Sequence, residues 1–243
     1  MEVSRMELNR GWGLFGRGWN AFKADWVTWV LSFVVFVVIS LVLNLIPLIG
    51  GLVMAVITPA LVAGFMKLAH DLERGETVGV GHLFQPIQDP DRRAPLLLLG
   101  LVALLASVAL ALVFALVVGG AMHMGGTGSV TPGLPVAGVG FFGLLLLFVL
   151  YLAIFAILAF SIPLVYFRRL EIGQAIAASV NGTLANLGPL VIFSLIYIVL
   201  AFLAAIPLAL GFLVLGPVVL AAVYGAYREI FDEGAQVLEA GEA

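Results

Sequence analysis

Two histidines, His70 and His82, flank a mixed run of charge, Asp71, Glu73, Arg74 and Glu76. A histidine beside a carboxylate is a familiar general acid–base pair, because imidazole exchanges a proton near neutral pH. On a solvated interface the same mixture is ordinary surface electrostatics, and the spacing favours that reading. Met122-His123-Met124 places two thioethers around an imidazole, soft ligands suited to Cu(I). Three adjacent residues rarely surround one ion, and no second cluster supports them, so the run reads as part of a flexible outer loop. Cysteine is absent, which excludes disulfides, thiolate metal sites and cysteine nucleophiles. Gly79-x-Gly81 and the glycines of 125–133 lack the preceding strand and the Lys-Ser/Thr that complete a phosphate cradle. The expectation is a chain with no cofactor, no metal, no nucleic-acid partner and no enzymatic activity.

The elements that would position these residues are set by three stretches without Asp, Glu, Lys or Arg: Trp26 to Met66, Ala94 to Phe167, and Ile172 to Tyr227. A spanning helix needs about 20 apolar residues to cross roughly 30 Å of hydrocarbon. Each stretch is too long for one crossing and reads as two helices joined by an uncharged turn. The expected fold is therefore all-α, a polytopic bundle of six transmembrane helices arranged as three hairpins. The spans fall at about 27–46, 50–69, 96–118, 139–166, 189–206 and 209–227, the last two short for a full crossing. The turns are Ile46–Gly51, Gly119–Gly140 and Pro207–Gly211, and none carries a basic residue. All 11 basic residues lie on the opposite side, which the positive-inside rule makes cytoplasmic, with both termini. The first apolar run is longer than a signal-peptide core and reads as a retained span.

Each hairpin is expected to follow a cytoplasmic interfacial helix. In the first, Trp12, Phe15, Trp19, Phe22, Trp26 and Trp29 recur at steps of 3 and 4, a single aromatic stripe with Arg10 and Arg17 on the far side. Such a helix lies in the headgroup plane with its arginines toward anionic lipid. The alternative is that the stripe packs on the protein's own spans. Ile172, Ile176, Val180, Leu184 and Leu187 form a similar stripe before Pro189, and Leu83, Phe84 and Ile87 a shorter one.

The first and third units share landmarks. Asn20 and Asp25 correspond to Asn181 and Asn186, Ile46-Pro47-Leu48 to Ile206-Pro207-Leu208, and Pro59 to Pro217. They divide the chain into units 1–75, 76–170 and 171–243, parallel repeats within one integral membrane domain.

Ionisable groups are absent from the depth of the bilayer, so no proton relay is visible. Ser32, Ser40, Asn44, Thr58, Ser107, Ser161, Ser194 and Tyr197 are the polar side chains there, suited to back-bonding or interhelical contacts. Pro59, Pro163 and Pro217 are expected kinks of the even-numbered spans, either a hinge ring or simple bends into the interface. Ala60/Gly64, Ala221/Gly225 and Ala222/Ala226 allow close helix approach, within one chain or in a homo-oligomer. Arg10, Arg17, Lys23, Lys67, Arg92, Arg93, Arg168 and Arg169 are the candidate headgroup contacts.

The segments GWGLFGRGWNAFKADWVTWV, IPLIGG, TPALVAGFMKLAHDLERGE with a following HLF, AIAASVNGTLANLGP and GPVVLAAVYGAYREIF resemble a family of uncharacterised bacterial inner-membrane proteins with six spans. More distantly the chain is similar to YciC-like proteins and to the membrane domain joined to some bacterial glycerophosphodiester phosphodiesterases. The resemblance implies an inner-membrane location and an association with lipids or envelope homeostasis. The expected function is non-enzymatic organisation of membrane lipids or a partner protein at the cytoplasmic interface. The alternative is a transporter or channel for a neutral or apolar small molecule, lined by Asn44, Thr58, Ser161 or Tyr197.

Overall fold

Among the described residues, 3–125 and 134–233 of a computed structural model, every regular element is helical. In hydrocarbon a backbone must satisfy its own hydrogen bonds, and a helix does so within one segment. Ten α-helices follow in order: α1 Arg10–Ala24, α2 Trp26–Asn44, α3 Ile49–Glu73, α4 Gln85–Gln88, α5 Pro90–Gly125, α6 Leu134–Leu158, α7 Ser161–Arg168, α8 Ile172–Ala185, α9 Leu187–Ala205 and α10 Phe212–Arg228. A 3₁₀ turn covers Val80–Phe84, and a π-helical turn, Glu229–Glu233, extends α10.

Six segments are long and apolar enough to cross a membrane: Trp26–Asn44, Ile49–Glu73, Pro90–Gly120, Phe141–Arg168, Leu187–Ala205 and Phe212–Asp232. The third begins at Pro90 rather than near 96, which puts Arg92 and Arg93 in its opening turns. Helices α5 and α6 also run into the expected turn at 119–140, to Gly125 and from Leu134. The side chains of Met122, His123 and Met124 lie outside the described residues.

Helices α3 and α10 form the middle of the bundle. More than half of the apolar window of α10 is buried, against none of that of α5. The core gathers Trp29, Phe65, Met66, Phe160, Tyr224, Tyr227 and Phe231 near the charged helix ends. Close packing depends on small residues. A Cβ on Gly64 would strike the backbone of Leu83, and one on Gly100 the backbone of Val56, so α3 meets the 3₁₀ turn and α5 main chain to main chain. The small-residue pairs at four-residue spacing are thus used within the chain: Ala60, Gly64, Ala221, Ala222, Gly225 and Ala226 are all buried.

The three prolines differ. Pro59 and Pro217 lie inside the continuous helices α3 and α10. Pro163 does not kink a continuous helix; it sits at the third position of α7, where its missing N–H leaves no carbonyl orphaned that a helix start would have served. The break before it has another cause. Where Phe160 N–H would bond to Ala156 carbonyl, the hydroxyl of Ser179 from α8 stands between them, accepting from Phe160 at 3.0 Å and donating to Ala156 at 2.7 Å. A side chain inserted in the i→i−4 ladder is a recognised source of a helix break. Ser179→Ala leaves both buried groups without a partner, at about 1–3 kcal/mol each. We expect a destabilisation of about 2–4 kcal/mol in thermal unfolding of the detergent-solubilised protein. An unchanged midpoint would mean the ladder recloses without the hydroxyl.

The paired landmarks occupy matching local structure. One non-helical residue, Asp25, separates α1 from the 19-residue α2, and one, Asn186, separates α8 from the 19-residue α9. Asp25 caps α2 by accepting from Thr28 N–H at 3.1 Å. Asn186 instead accepts from Met6 N–H at 2.6 Å and donates to Ser4 and Gly182 carbonyls, tying the N-terminal segment to the α8–α9 junction. After each span, Leu48 and Leu208 both take positive φ, 63° and 52°, in the two Ile-Pro-Leu turns.

Candidate functional site

Charged side chains from five segments converge at one end of the bundle. Asp71, 2% exposed, receives Lys67 Nζ at 2.8 and 3.1 Å and faces His82 Nε2 at 3.3 Å. Lys67 reaches it because the two are one helical turn apart on α3. His82 arrives on the 3₁₀ turn, whose Gly79 N–H donates to its Nδ1 at 3.1 Å. The same Nδ1 lies 3.0 Å from the Gly79 carbonyl, so its protonation selects the backbone group it pairs with, while Nε2 faces Asp71 in either case. His70, the other histidine read as a possible acid–base partner, is separate from this cluster. Its Nδ1 lies 2.8 Å from Tyr224 Oη, and its ring packs beside Phe167.

Arg168 of α7 donates to Asp232 carboxylate and, at 2.8 Å, to the carbonyl of Phe231. Arg228 lies 3.9 Å from Glu73 and 3.5 Å from Asp232. Arg10 and Arg17 of α1 both approach Glu229, at 3.3 and 3.4 Å. Arg92 lies 3.9 Å from Asp89. The π turn at the end of α10 therefore receives arginines from α1 and α7.

The eight candidate headgroup contacts thus divide. Arg10, Arg17, Lys67, Arg92 and Arg168 are held by acidic partners of the chain itself. Lys23, Arg93 and Arg169 are exposed and make no side-chain ion pair among the described residues. Positive-inside counting treats all basic residues alike, so sequence reasoning could not make this division.

The aromatic stripe divides too, and for a structural reason. The break at Asp25 places Trp26 and Trp29 on α2 rather than on α1. Helix α1 packs on α9 and α10 through Gly11, Leu14, Gly18 and Phe22. A Cβ at Gly11 would lie 2.6 Å from the carbonyl oxygen of Pro189, and one at Gly18 would strike that of Val218. Phe15 stacks on Phe193 of α9, with centroids 4.5 Å apart, and Trp29 stacks on Phe65 of α3. Trp12, Trp19 and Trp26 remain exposed, at 68%, 45% and 58%. The stripe is thus split: Phe22 and Trp29 face the protein, and the three tryptophans at seven-residue spacing face out.

In α8 the expected large apolar stripe is not the buried one. Ala175, Ser179, Gly182 and Thr183 are buried, while Leu184 and Leu187 are exposed. The Leu83 stripe of the middle unit lies on the protein, against Gly64. Of the residues proposed to line a passage, Asn44 and Thr58 donate to carbonyls of their own helices, those of Ser40 and Met54, and Ser161 at the head of α7 donates back to the Ile157 carbonyl of α6. Tyr197 lines an apolar cavity of about 240 Å³ with Phe33, Phe36, Phe65, Phe212 and Gly216.

A family described as predicted integral membrane protein (DUF2189) matches residues 45–166, half of the chain. No curated protein and no solved structure matches it.

Proposed function

Because the chain belongs to the family of predicted integral membrane proteins DUF2189, we propose that it works as a non-enzymatic, multi-pass organiser of anionic lipid in a bacterial inner membrane. Both termini and the charged end face the cytoplasm in this reading, as the one-sided basic residues require.

One observation carries the proposal. Helix α1 packs its small-residue face on α9 and α10 and leaves Trp12, Trp19 and, at the head of α2, Trp26 exposed, with Lys23 in the last turn of α1 exposed and without an ion pair among the described residues. Tryptophan rings with an indole N–H settle at the headgroup level, where one side is apolar and the other wet. Lysine and arginine at that depth attract phosphate by about 1 kcal/mol each. The fixed position of α1 gives those groups a rigid platform, since Arg10 and Arg17 are already committed to Glu229.

Native mass spectrometry of the protein extracted with its surrounding lipids tests this. Lys23→Ser, Arg93→Ser and Arg169→Ser together should weaken retention of anionic lipid roughly a hundredfold, about 1 kcal/mol per lost cation. Arg10→Ser with Arg17→Ser should do less. Equal retention by all variants overturns the proposal, and a lipid-free protein would favour transport of an apolar solute.

A further inference from the structure

The cavity bounded by α2, α3, α9 and α10 lies away from the charged end. Phe33 and Phe36 fall midway along α2, Phe65 belongs to α3, Tyr197 falls midway along α9, and Gly216 belongs to α10. These depths place it in the hydrocarbon layer of a chain whose spans run end to end. Its wall is almost wholly ring and aliphatic surface; the Tyr197 hydroxyl is the one side-chain polar group among the lining residues. The three phenylalanines fix its shape, with Phe36 edge-on to Phe65 at 6.0 Å and Phe33 tilted against Phe65 at 6.3 Å. Gly216 has no Cβ to strike the Phe33 ring, which lets that ring lie on α10. Tyr197, on the cavity wall, is 38% exposed.

An apolar cavity of this kind does not hold water, which needs two or more polar partners. Left empty it would forfeit dispersion contacts along its whole lining. The bilayer supplies the material that fits, a run of methylenes. A path also leads to it. Trp26, Phe33 and Phe36 follow one another down α2 from an exposed ring at the charged end to the cavity wall, with the buried Trp29 packed behind them on Phe65. Trp26 to Phe36 is ten residues, about 15 Å of helix rise, which is half of a roughly 30 Å hydrocarbon core. Lys23, exposed and without an ion pair among the described residues, lies in the last turn of α1, just ahead of α2.

We propose that the cavity seats one acyl chain of an anionic membrane phospholipid, whose headgroup rests at Lys23. This rests on the lipid-organising reading and adds its specific site. Trp29, fully buried and stacked at 6.1 Å on Phe65, is the reporter. In the full chain carrying Trp12→Phe, Trp19→Phe and Trp26→Phe, Trp29 is the remaining tryptophan. Reconstitution into phosphatidylglycerol vesicles with chains brominated near their middle should remove most of its emission, because bromine quenches at short range. Val219→Phe, which fills the cavity from α10, should restore that emission; Leu220→Phe serves as the second filling variant if the first does not fold. Quenching that is the same with the cavity open or filled overturns the proposal.

The two readings fail separately. Loss of the Lys23 effect on lipid retention with quenching intact removes the headgroup part alone. Retained charge dependence with cavity-independent quenching removes the acyl seat alone.

Discussion

Gly18→Leu will lift α1 off the bundle. The first side-chain carbon would fall on the carbonyl oxygen of Val218 and 2.9 Å from the Cβ of Ala222, and neither backbone nor a methyl at the helix axis can move aside. Overpacking normally costs about 1–3 kcal/mol when side chains can adjust. Here the whole helix must retreat, which also withdraws Leu14 and Phe22 from the core. Limited trypsin digestion reads the outcome directly, since Arg10, Arg17 and Lys23 lie on α1. The variant should be cut on α1 far faster than the parent while the six long helices stay intact. Gly13→Leu and Gly16→Leu make the controls, because nothing lies within 4 Å of a Cβ at either position. They should leave α1 docked and gain helix propensity, up to about 1 kcal/mol each. Equal protection of Gly18→Leu and the parent would refute the docking of α1 on α10.

Asp71→Ala should destabilise the protein by about 2–4 kcal/mol, read as a lower unfolding midpoint in detergent. Removing one member of a buried ion pair costs about 3–5 kcal/mol because the other charge is left behind. The lower figure applies because the Lys67 side chain is 27% exposed and can turn its ammonium outward. His82 loses its Nε2 partner in the same step, so the 3₁₀ turn should loosen from α3. Hydrogen exchange at 80–84 should rise with it. Asp71→Asn, which keeps shape and one acceptor, should cost less. A double-mutant cycle with His82→Ala separates the two partners: a vanishing coupling would mean that His82 adds nothing to the Lys67–Asp71 pair.

Much of this arrangement was legible beforehand, residue by residue. The charge-free run from Trp26 to Met66 already implied two crossings, and Ile46-Pro47-Leu48 marked where the chain turns. Asp25 and Asn186 were visible as a pair; their shared place between a short helix and a 19-residue span was not, because a cap is recognised only once its helix is in register. His82 was visible beside acidic residues, yet only the 3₁₀ turn brings it to Asp71 rather than leaving it in water. Pro163 looked like a kink, whereas the break is made by Ser179, nineteen or more residues away; that serine stands within the AIAASVNGTLANLGP segment, but nothing in its spacing marks it as a partner of Phe160.

The sequence by itself determined that this is an all-helical membrane protein with six crossings and its charge on one end. Insertion into hydrocarbon is a sum over about 20 consecutive residues, a local quantity that composition reports. Which face of each helix turns inward was decided by the tertiary structure. Between helices in lipid there is no hydrophobic drive, because acyl chains are as apolar as leucine, so close van der Waals approach and hydrogen bonds decide the packing. Gly11, Gly18, Ala175, Ser179 and Gly182 therefore face the protein, while Trp12, Trp19, Leu184 and Leu187 face out, and a stripe of large apolar residues no longer marks the inside.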